Sequence, residues 1–347
     1  MVQTRRTVAG LVSASIAALA GISCPLPALA EDFYFGKQVN FIVGAGVGGG
    51  YDHQARLVAR HLGRHIPGNP GIIVQNMPAA GSIAASNYMF STAPRDGTTI
   101  ALIQRGMLLA KLTYPTGTRF EIDKFHWLTS LNSETAVTLT WNETSSHRTA
   151  RDLFEKELIV GGIVGVDPET TPKLYNSLLG TKFKVVTGYN STAQIALAME
   201  RGEVQAIADW SWSSVKAVRP HWLSDKKVTL LLQGALKKEP ELGNLPSALD
   251  FVKNDADRKV LELHFTQKLA ARPVIAPPGI SPERIATLRA AFAALGKDKE
   301  FLADAERSKQ EVGFVPGEEV EKVVALIVGT PADIADRYAK AFAPEQK

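Results

Sequence analysis

The chain has 347 residues, with 39 lysines and arginines against 35 acidic residues, one cysteine and 45% hydrophobic residues. This composition is typical of a folded globular protein, and it excludes a disordered chain, a fibre and a disulfide scaffold. The length suffices for two domains. The net charge of +4 is small and spread along the chain, which argues against a nucleic-acid partner.

The first thirty residues predict an export signal. Arg5 and Arg6 precede an apolar run over 8–22, and Ala28-Leu29-Ala30 has the small-x-small pattern of a signal peptidase site. We therefore expect cleavage near Ala30 and a periplasmic protein. The arginine pair also fits a twin-arginine signal in part, and Cys24 lies in a poor lipobox, so the export route and lipidation stay open.

Strand and helix patterns alternate along the rest of the chain. This alternation predicts an α/β protein with mixed, mostly parallel sheets flanked by helices, and with a ligand cleft beyond the strand ends. The predicted strands cover 38–43, 72–74, 99–103, 158–163, 183–186 and 206–209, and the predicted helices cover 52–65, a segment ending near 93, 172–179, 192–201, 282–295 and 317–328.

The first strand–helix loop is rich in glycine. Gly44, Gly46 and Gly49 match the spacing of a dinucleotide-binding loop, but the next strand ends in Val74-Gln75-Asn76 without the acidic residue that a ribose requires. We therefore expect no nucleotide and no other cofactor. Glycines let backbone N–H groups approach a ligand, and the following helix turns its positive end toward the loop. The loop is therefore predicted to bind an anion.

Candidate catalytic and metal-binding residues are few. The sequence contains no nucleophile elbow, P-loop or zinc-protease motif. Asp52 and Asp209 can be drawn as an acid–base pair across a cleft, which is the basis of a hydrolase alternative. An aspartate at a helix start, however, more often caps free N–H groups. His61 and His65 are four residues apart on a helix, but no third ligand is near, so we predict a solvated face and no metal site.

Several segments resemble the substrate-binding proteins of tripartite tricarboxylate transporters, also called Bug-type receptors. The specific part is Gly-Gly-Gly-Tyr-Asp at 48–52, the run 74–83 (Val-Gln-Asn-Met-Pro-Ala-Ala-Gly-Ser-Ile) and the turn 95–98. The resemblance continues more loosely through 189–191, 202–205 and 269–282. It implies a two-domain, periplasmic-binding-protein-like (type II-like) fold, with domain 1 over 31–133 and 243–347 and domain 2 over 134–242.

The resemblance also implies a function. It implies a monomeric, non-enzymatic receptor that captures a small organic acid between the lobes and presents it to the membrane subunits of a tripartite tricarboxylate-type transporter. A ligand sensor for a membrane signalling partner is the alternative. Asp167 and Glu169, if they face the cleft, disfavour a highly charged ligand such as citrate. The predicted ligand-binding residues are Gly48, Gly49, Gly50, Tyr51, Asp52, Ala80, Gly81, Ser82, Arg105, Thr170, Thr171, Tyr189, Asn190, Ser191, Asp209 and Trp210.

Overall fold

The structure, a computed structural model, describes residues 33–342, so the predicted signal segment and Cys24 lie outside the described residues. The described chain forms eleven strands that divide into two sheets. The strands are β1 (Gln38–Val43), β2 (Gly71–Asn76), β3 (Thr99–Leu102), β4 (His126–Ser130), β5 (Ala136–Trp141), β6 (Leu158–Gly162), β7 (Phe183–Thr187), β8 (Ala206–Ser211), β9 (Val228–Gly234), β10 (Pro273–Ala276) and β11 (Val315–Pro316).

Each sheet has a parallel part and an antiparallel part. The first sheet has the order β11-β4-β10-β3-β1-β2, and the second has the order β7-β6-β8-β5-β9. The strand β1 lies between β2 and β3, parallel to both, and its residues from Val39 to Val43 are apolar and buried at every position but Asn40, which is half-buried. Such a continuous apolar run is typical of a parallel strand that is covered on both faces.

Helices cover both sheets. Within the described chain they are α1 (Gly50–Leu62), α2 (Ile83–Ser91), α3 (Ala110–Thr113), α4 (Asp152–Glu155), α5 (Asp167–Leu179), α6 (Thr192–Glu200), α7 (Trp212–Val218), α8 (Pro220–Ser224), α9 (Asp255–Thr266), α10 (Pro282–Leu295), α11 (Lys299–Arg307), α12 (Gly317–Val328) and α13 (Ala332–Lys340).

The predicted α/β fold with two sheets and flanking helices is confirmed, but the expectation of mostly parallel sheets is wrong. The parallel pairings are β1–β2, β1–β3, β6–β7 and β6–β8. The pairings of β4, β5, β9, β10 and β11 are antiparallel. The reason is that β4, β5, β9 and β10 carry the chain between the two halves, so these strands return against their neighbours instead of crossing over through a helix.

One helix begins earlier than predicted. The helix predicted over 172–179 begins instead at Asp167 and continues through Pro172. Another proline, Pro168, occupies the first turn, the position for which proline is suited because its missing N–H has no partner there. Thr170 and Thr171 therefore lie inside α5 and not in a loop.

Two chain segments connect the two sheets, and they pair with each other. The β4–β5 connection runs beside the segment that enters β10: Leu131 N–H donates to Arg272 O at 3.0 Å and Glu134 N–H donates to Lys268 O at 3.0 Å. The predicted boundary at 133/134 falls within the first of these segments. The domain boundaries themselves stay a prediction.

None of the helices formed by residues 33–342 combines the length and the hydropathy that crossing a bilayer requires.

Candidate functional site

A cavity of about 40 Å³ lies between the two sheets. Its walls come from the residues that follow β1, β3, β6 and β7 and from the end of β8. This is the place where open α/β sheets bind ligands, beyond the carboxyl ends of their strands. The volume holds a few water molecules, so an organic acid enters only if the two lobes move apart or side chains shift.

The positive ends of three helices meet at this cavity. The helices α1, α5 and α6 begin at Gly50, Asp167 and Thr192, and all three residues line the cavity. The N-cap residues of α1 and α5 supply no side-chain hydrogen bond. Because the first N–H groups of a helix have no partner within it, and because the helix dipole adds positive charge there, the arrangement can hold an anion.

The glycines of the first loop let the two lobes approach each other. Gly46 N–H donates to Asn190 O at 3.0 Å, and a Cβ at Gly46 would lie 2.7 Å from that oxygen. A Cβ at Gly50 would overlap the Ser214 hydroxyl. Both partners belong to the five-stranded half of the molecule. The close contact between the two halves therefore requires small residues at these positions.

Arg105 links the two lobes across the cavity. It follows β3 in the first half, and its guanidinium binds Asp167, the Ser211 hydroxyl at 2.8 Å and Asp209 at 3.1 Å. Burial by itself would lower the pKa of Arg105, but the charges of Asp167 and Asp209 raise it overall. Two carboxylates already neutralise this cation, which fits a structural role better than that of the principal partner of a ligand carboxylate.

Asp209 is placed by an irregularity in β8. The register between β5 and β8 shifts at this point, and Asp209 has a φ of +59° inside the strand. An extra residue in one strand re-aims a side chain. The buried Asp209 carboxylate accepts hydrogen bonds from Lys268 Nζ at 2.7 and 2.8 Å and from Thr171 Oγ1 at 2.9 Å. Burial would raise the pKa of Asp209, but Lys268 and Arg105 hold it below its usual value.

A chain of hydrogen bonds continues behind Asp209. The Thr171 hydroxyl, which donates to Asp209, is 2.7 Å from His264 Nε2, and His264 Nδ1 is 2.9 Å from the Tyr338 hydroxyl. Burial lowers the pKa of His264 to about 4, so the ring is neutral at pH 7. Since the Thr171 proton goes to Asp209, Nε2 carries the ring proton and donates to Thr171. The chain is thus oriented to stabilise the Asp209 carboxylate.

Arg272 brings a further buried positive charge next to two residues that line the cavity. Its Nη2 donates to Ser214 Oγ at 2.6 Å, and its guanidinium carbon is 4.4 Å from the centre of the Tyr51 ring. Tyr51 and Ser214 both line the cavity. The Nε and Nη1 groups of Arg272 are buried and make no hydrogen bond to any residue in 33–342. Burial lowers the pKa of Arg272 from its usual value.

The structure brings half of the predicted site residues together. Whether any of them contacts a ligand stays a prediction. Those at the cavity are Gly49, Gly50, Tyr51, Arg105, Asn190, Ser191, Asp209 and Trp210. Those that do not line it are Gly48, Asp52, Ala80, Gly81, Ser82, Thr170, Thr171 and Tyr189.

The second strand–helix loop does not reach the cavity, contrary to expectation. The Ser82 hydroxyl is fully buried, donates to Gly44 O at 2.6 Å and accepts from Gln104 N–H at 2.9 Å. A Cβ at Gly81 would overlap the carbonyl oxygen of Val164 in the facing lobe. This loop therefore supports the first loop and the lobe contact, and α5 and α6 supply the helix N-termini on the other side of the cavity.

The proposed acid–base pair is not assembled. The Asp52 carboxylate accepts from Gly48 N–H at 2.9 Å, from Arg56 Nε at 3.0 Å and from Asn76 Nδ2 at 2.9 Å. It holds the loop that precedes α1 and does not line the cavity, whereas Asp209 does. The two carboxylates share no hydrogen-bond partner among those described. The geometry gives the hydrolase alternative no support.

His61, on α1, and His65, in the turn that follows it, bind different carboxylates. His61 Nε2 is 2.8 Å from Asp304, and His65 Nε2 is 2.7 Å from Asp298. Each histidine therefore stabilises the packing of α1 against the segment that contains α11.

Some residues at the site were missed from the sequence. Asp167 was considered only for its charge, and Lys268 and Arg272 were assigned no role, although Arg272 lies in the resembling run 269–282 and Lys268 directly precedes it. The signal was available in part: Lys268 and Arg272 stand four apart immediately before the buried strand β10, where a charge is costly unless it is used. Their carboxylate and hydroxyl partners are far away in sequence, so these pairings could not be predicted from the sequence.

Sequence comparison with family models and with curated proteins gives no match, but solved structures match well. "Structure of periplasmic binding protein BugD" has 18% identity, covers 89% of this chain and 98% of that chain, and has a TM-score of 0.68. The R. palustris protein Rpa4515 with adipate has 19% identity, coverage of 88% and 97%, and a TM-score of 0.68. MatC from Rhodopseudomonas palustris, with bound malate, has 17% identity, coverage of 88% and 99%, and a TM-score of 0.65.

At such identities the likeness concerns the fold. It extends over nearly the whole of each matched chain, and it agrees with the resemblance seen in the sequence. The chain therefore has the fold of the Bug- and TctC-type periplasmic binding proteins, as the sequence predicted.

Proposed function

We propose that the protein is a periplasmic solute-binding receptor that captures a small organic acid between its two lobes and delivers it to a tripartite tricarboxylate-type membrane transporter. The observation that carries the proposal is the meeting of three helix N-termini at one cavity between the lobes, two of them without a side-chain cap. Backbone N–H groups at such ends bind carboxylates without a dedicated cation.

The roles of the residues follow from their positions. The N–H groups of Gly50 and Tyr51, in the first turn of α1, bind the ligand carboxylate. Asn190, Ser191 and Trp210 line the facing wall and contact the rest of the ligand. Closing of the two lobes, through the paired segments that connect the sheets, then excludes water from the ligand.

The comparisons support this proposal by their fold and by the ligands in their names. Adipate and malate are the ligands of two of the matched proteins, and the matched structures include a TctC solute-binding protein from Polaromonas. The delivery step rests on this likeness and on the predicted export signal. Receptor function without turnover is the reading that the site favours, because Asp52 and Asp209 are each engaged by other groups.

A ligand screen on the full chain, purified from the periplasmic fraction, tests the proposal. Thermal unfolding is followed with mono-, di- and tricarboxylates, aromatic acids and amino acids, each beside its amide. A ligand at 100 times its dissociation constant adds about 2.7 kcal/mol to the free energy of unfolding. We expect a shift of the unfolding temperature with at least one acid and none with its amide. Shifts with neutral compounds alone would contradict the proposal.

A glycine variant tests the role of lobe closure. Gly46→Ala places a methyl group against the Asn190 carbonyl, so we expect ligand affinity to fall by about tenfold, which corresponds to ~1.4 kcal/mol. Gly313→Ala is the matched control, because a Cβ at Gly313 meets nothing within 4 Å. Equal affinities of the two variants by calorimetry would show that the close contact at Gly46 is not needed for binding.

A further inference from the structure

The charges around the cavity largely cancel. Asp167 and Asp209 line it, and Arg105 binds both of these carboxylates. Lys268 binds Asp209 through both of its oxygens. These two carboxylates and two cations form one buried, hydrogen-bonded group. Neither cation is therefore free to neutralise an incoming anion.

Arg272 is the cation left over at this wall. Its Nη2 group would be 3.0 Å from a Cβ on Gly50, so the guanidinium lies directly behind the start of α1. Within residues 33–342 its Nε and Nη1 groups have no hydrogen-bond partner. The next carboxylate, Glu134, binds the Ser213 hydroxyl and is partly exposed, so its charge is partly screened by solvent.

The polar groups of the cavity thus suit one negative charge. The start of α1 with Arg272 behind it favours one carboxylate. A second carboxylate on the same small ligand would meet no unpaired cation on the facing side, because Arg105 and Lys268 are already bound by Asp167 and Asp209. A charge that is buried without a counter-charge is strongly disfavoured. The same two aspartates can instead accept hydrogen bonds from a neutral donor, such as an amide or a hydroxyl group.

We propose that the ligand class is a small monocarboxylic acid with a hydrogen-bond donor at its other end, and that Asp167, by binding Arg105, leaves no free cation for a second carboxylate. This inference rests on the proposed receptor function. The start of α1, which binds the carboxylate, and the Asp167–Arg105 pair, which disfavours a second one, are in different parts of the chain: α1 and Arg105 belong to one lobe and Asp167 to the other. The ligand therefore contacts both ends of the site only when the lobes close. The structure assigns to Asp167 the selection against dicarboxylic acids.

Matched ligands on the wild-type full chain provide the decisive measurement. Adipate, its monoamide and its diamide have nearly the same shape and differ in charge, and succinate with its two amides forms a shorter series. By calorimetry we expect the monoamide to bind at least about tenfold more tightly than the diacid, and the diamide not to bind. A diacid that binds as tightly as its monoamide would overturn this inference and leave the receptor function standing. Binding of the diamide alone would contradict both.

A variant assigns the selection to a residue. Asp167→Asn keeps the shape of the side chain and removes its charge, so we expect the preference for the monoamide over the diacid to fall by about tenfold. Glu157→Gln is the matched control: Glu157 is 61% exposed and precedes β6, at the end of the strand away from the cavity. An unchanged preference in a folded Asp167→Asn protein, with its fold checked by circular dichroism, would exclude Asp167 as the selecting residue. If that variant does not fold, the wild-type series alone decides the ligand class.

Discussion

Asp52 and Asp209 are two almost fully buried carboxylates, yet their surroundings differ in origin. Asp52 is bound by Gly48, Arg56 and Asn76, which lie within 24 residues of it. Asp209 is bound by Arg105, Thr171 and Lys268, which lie 104, 38 and 59 residues away. The Arg56 side chain is 45% exposed, whereas that of Lys268 is 2% exposed. Water therefore screens the first ion pair but not the second.

Because of this difference, Asp52 and Asp209 have different structural roles. Asp52 fixes the first turn of α1 within one lobe, and its hydrogen bonds lower its pKa although burial opposes this. Asp209 joins segments of both lobes around the cavity. We expect Asp52 to affect only the conformation of the nearby loop and helix. We expect Asp209 to contribute to the stability of the whole molecule, because the cations that bind it would stay buried without a partner if it were removed.

The largest effect is expected at Asp209. Asp209→Asn keeps the side-chain shape and a residue that tolerates the φ of +59°, but it leaves Lys268 and Arg105 with less negative charge. Removing one partner of a buried ion pair costs about 3–5 kcal/mol. We expect a loss of that size in urea unfolding. Asp225→Asn, at an exposed position, is the control; equal losses in the two variants would show that Asp209 contributes no more to stability than a surface aspartate.

The next effect is the pH dependence from His264, which has no counterpart near Asp52. Its pKa in the folded protein, about 4, is below the usual value of about 6.5. As the pH falls from 6.5 to 4, the unfolded chain binds this proton and the folded protein does not. The free energy of unfolding therefore keeps the contribution of the neutral ring above pH 6.5, and it falls on acidification to pH 4 by up to about 3 kcal/mol.

Unfolding at several pH values measures this contribution. The free energy of unfolding of His264→Gln should vary less between pH 6.5 and 4 than that of the wild type. His53→Gln, at an exposed position on α1, should follow the wild-type curve. Parallel curves for His264→Gln and the wild type would mean that His264 is protonated normally in the folded state.

The smallest effect is expected at Asp52. In Asp52→Asn the amide oxygen still accepts from Gly48 N–H, and the charge interaction that is lost involves a half-exposed arginine. Surface ion pairs and single hydrogen bonds each contribute about 1 kcal/mol or less. We expect a loss of that order, reduced further in high salt. A loss as large as that of Asp209→Asn would show that partner distance in sequence does not separate the two sites.

Much of the site around the first strand–helix loop could be predicted, because its residues are close together in the sequence. The apolar run of β1, the glycines after it and the spacing of α1 follow each other in sequence, so the loop and its helix N-terminus were identified correctly. The second loop has similar features, yet Ser82 points into the structure and binds Gly44 and Gln104. Whether a loop faces the cavity depends on how the strands are ordered in the sheet, which the loop sequence does not contain.

By itself, the sequence determined the α/β alternation, the glycine-rich loop with its helix, and the resemblance in fold that the solved structures confirm. Only the tertiary structure decided which charges neutralise each other. The partners Arg105, Asp167, Asp209 and Lys268 come from four separate segments, and each is an ordinary charged residue in its own sequence context. Periodicity reports burial within one element, whereas Coulomb attraction and desolvation act through space, between residues that folding brings together.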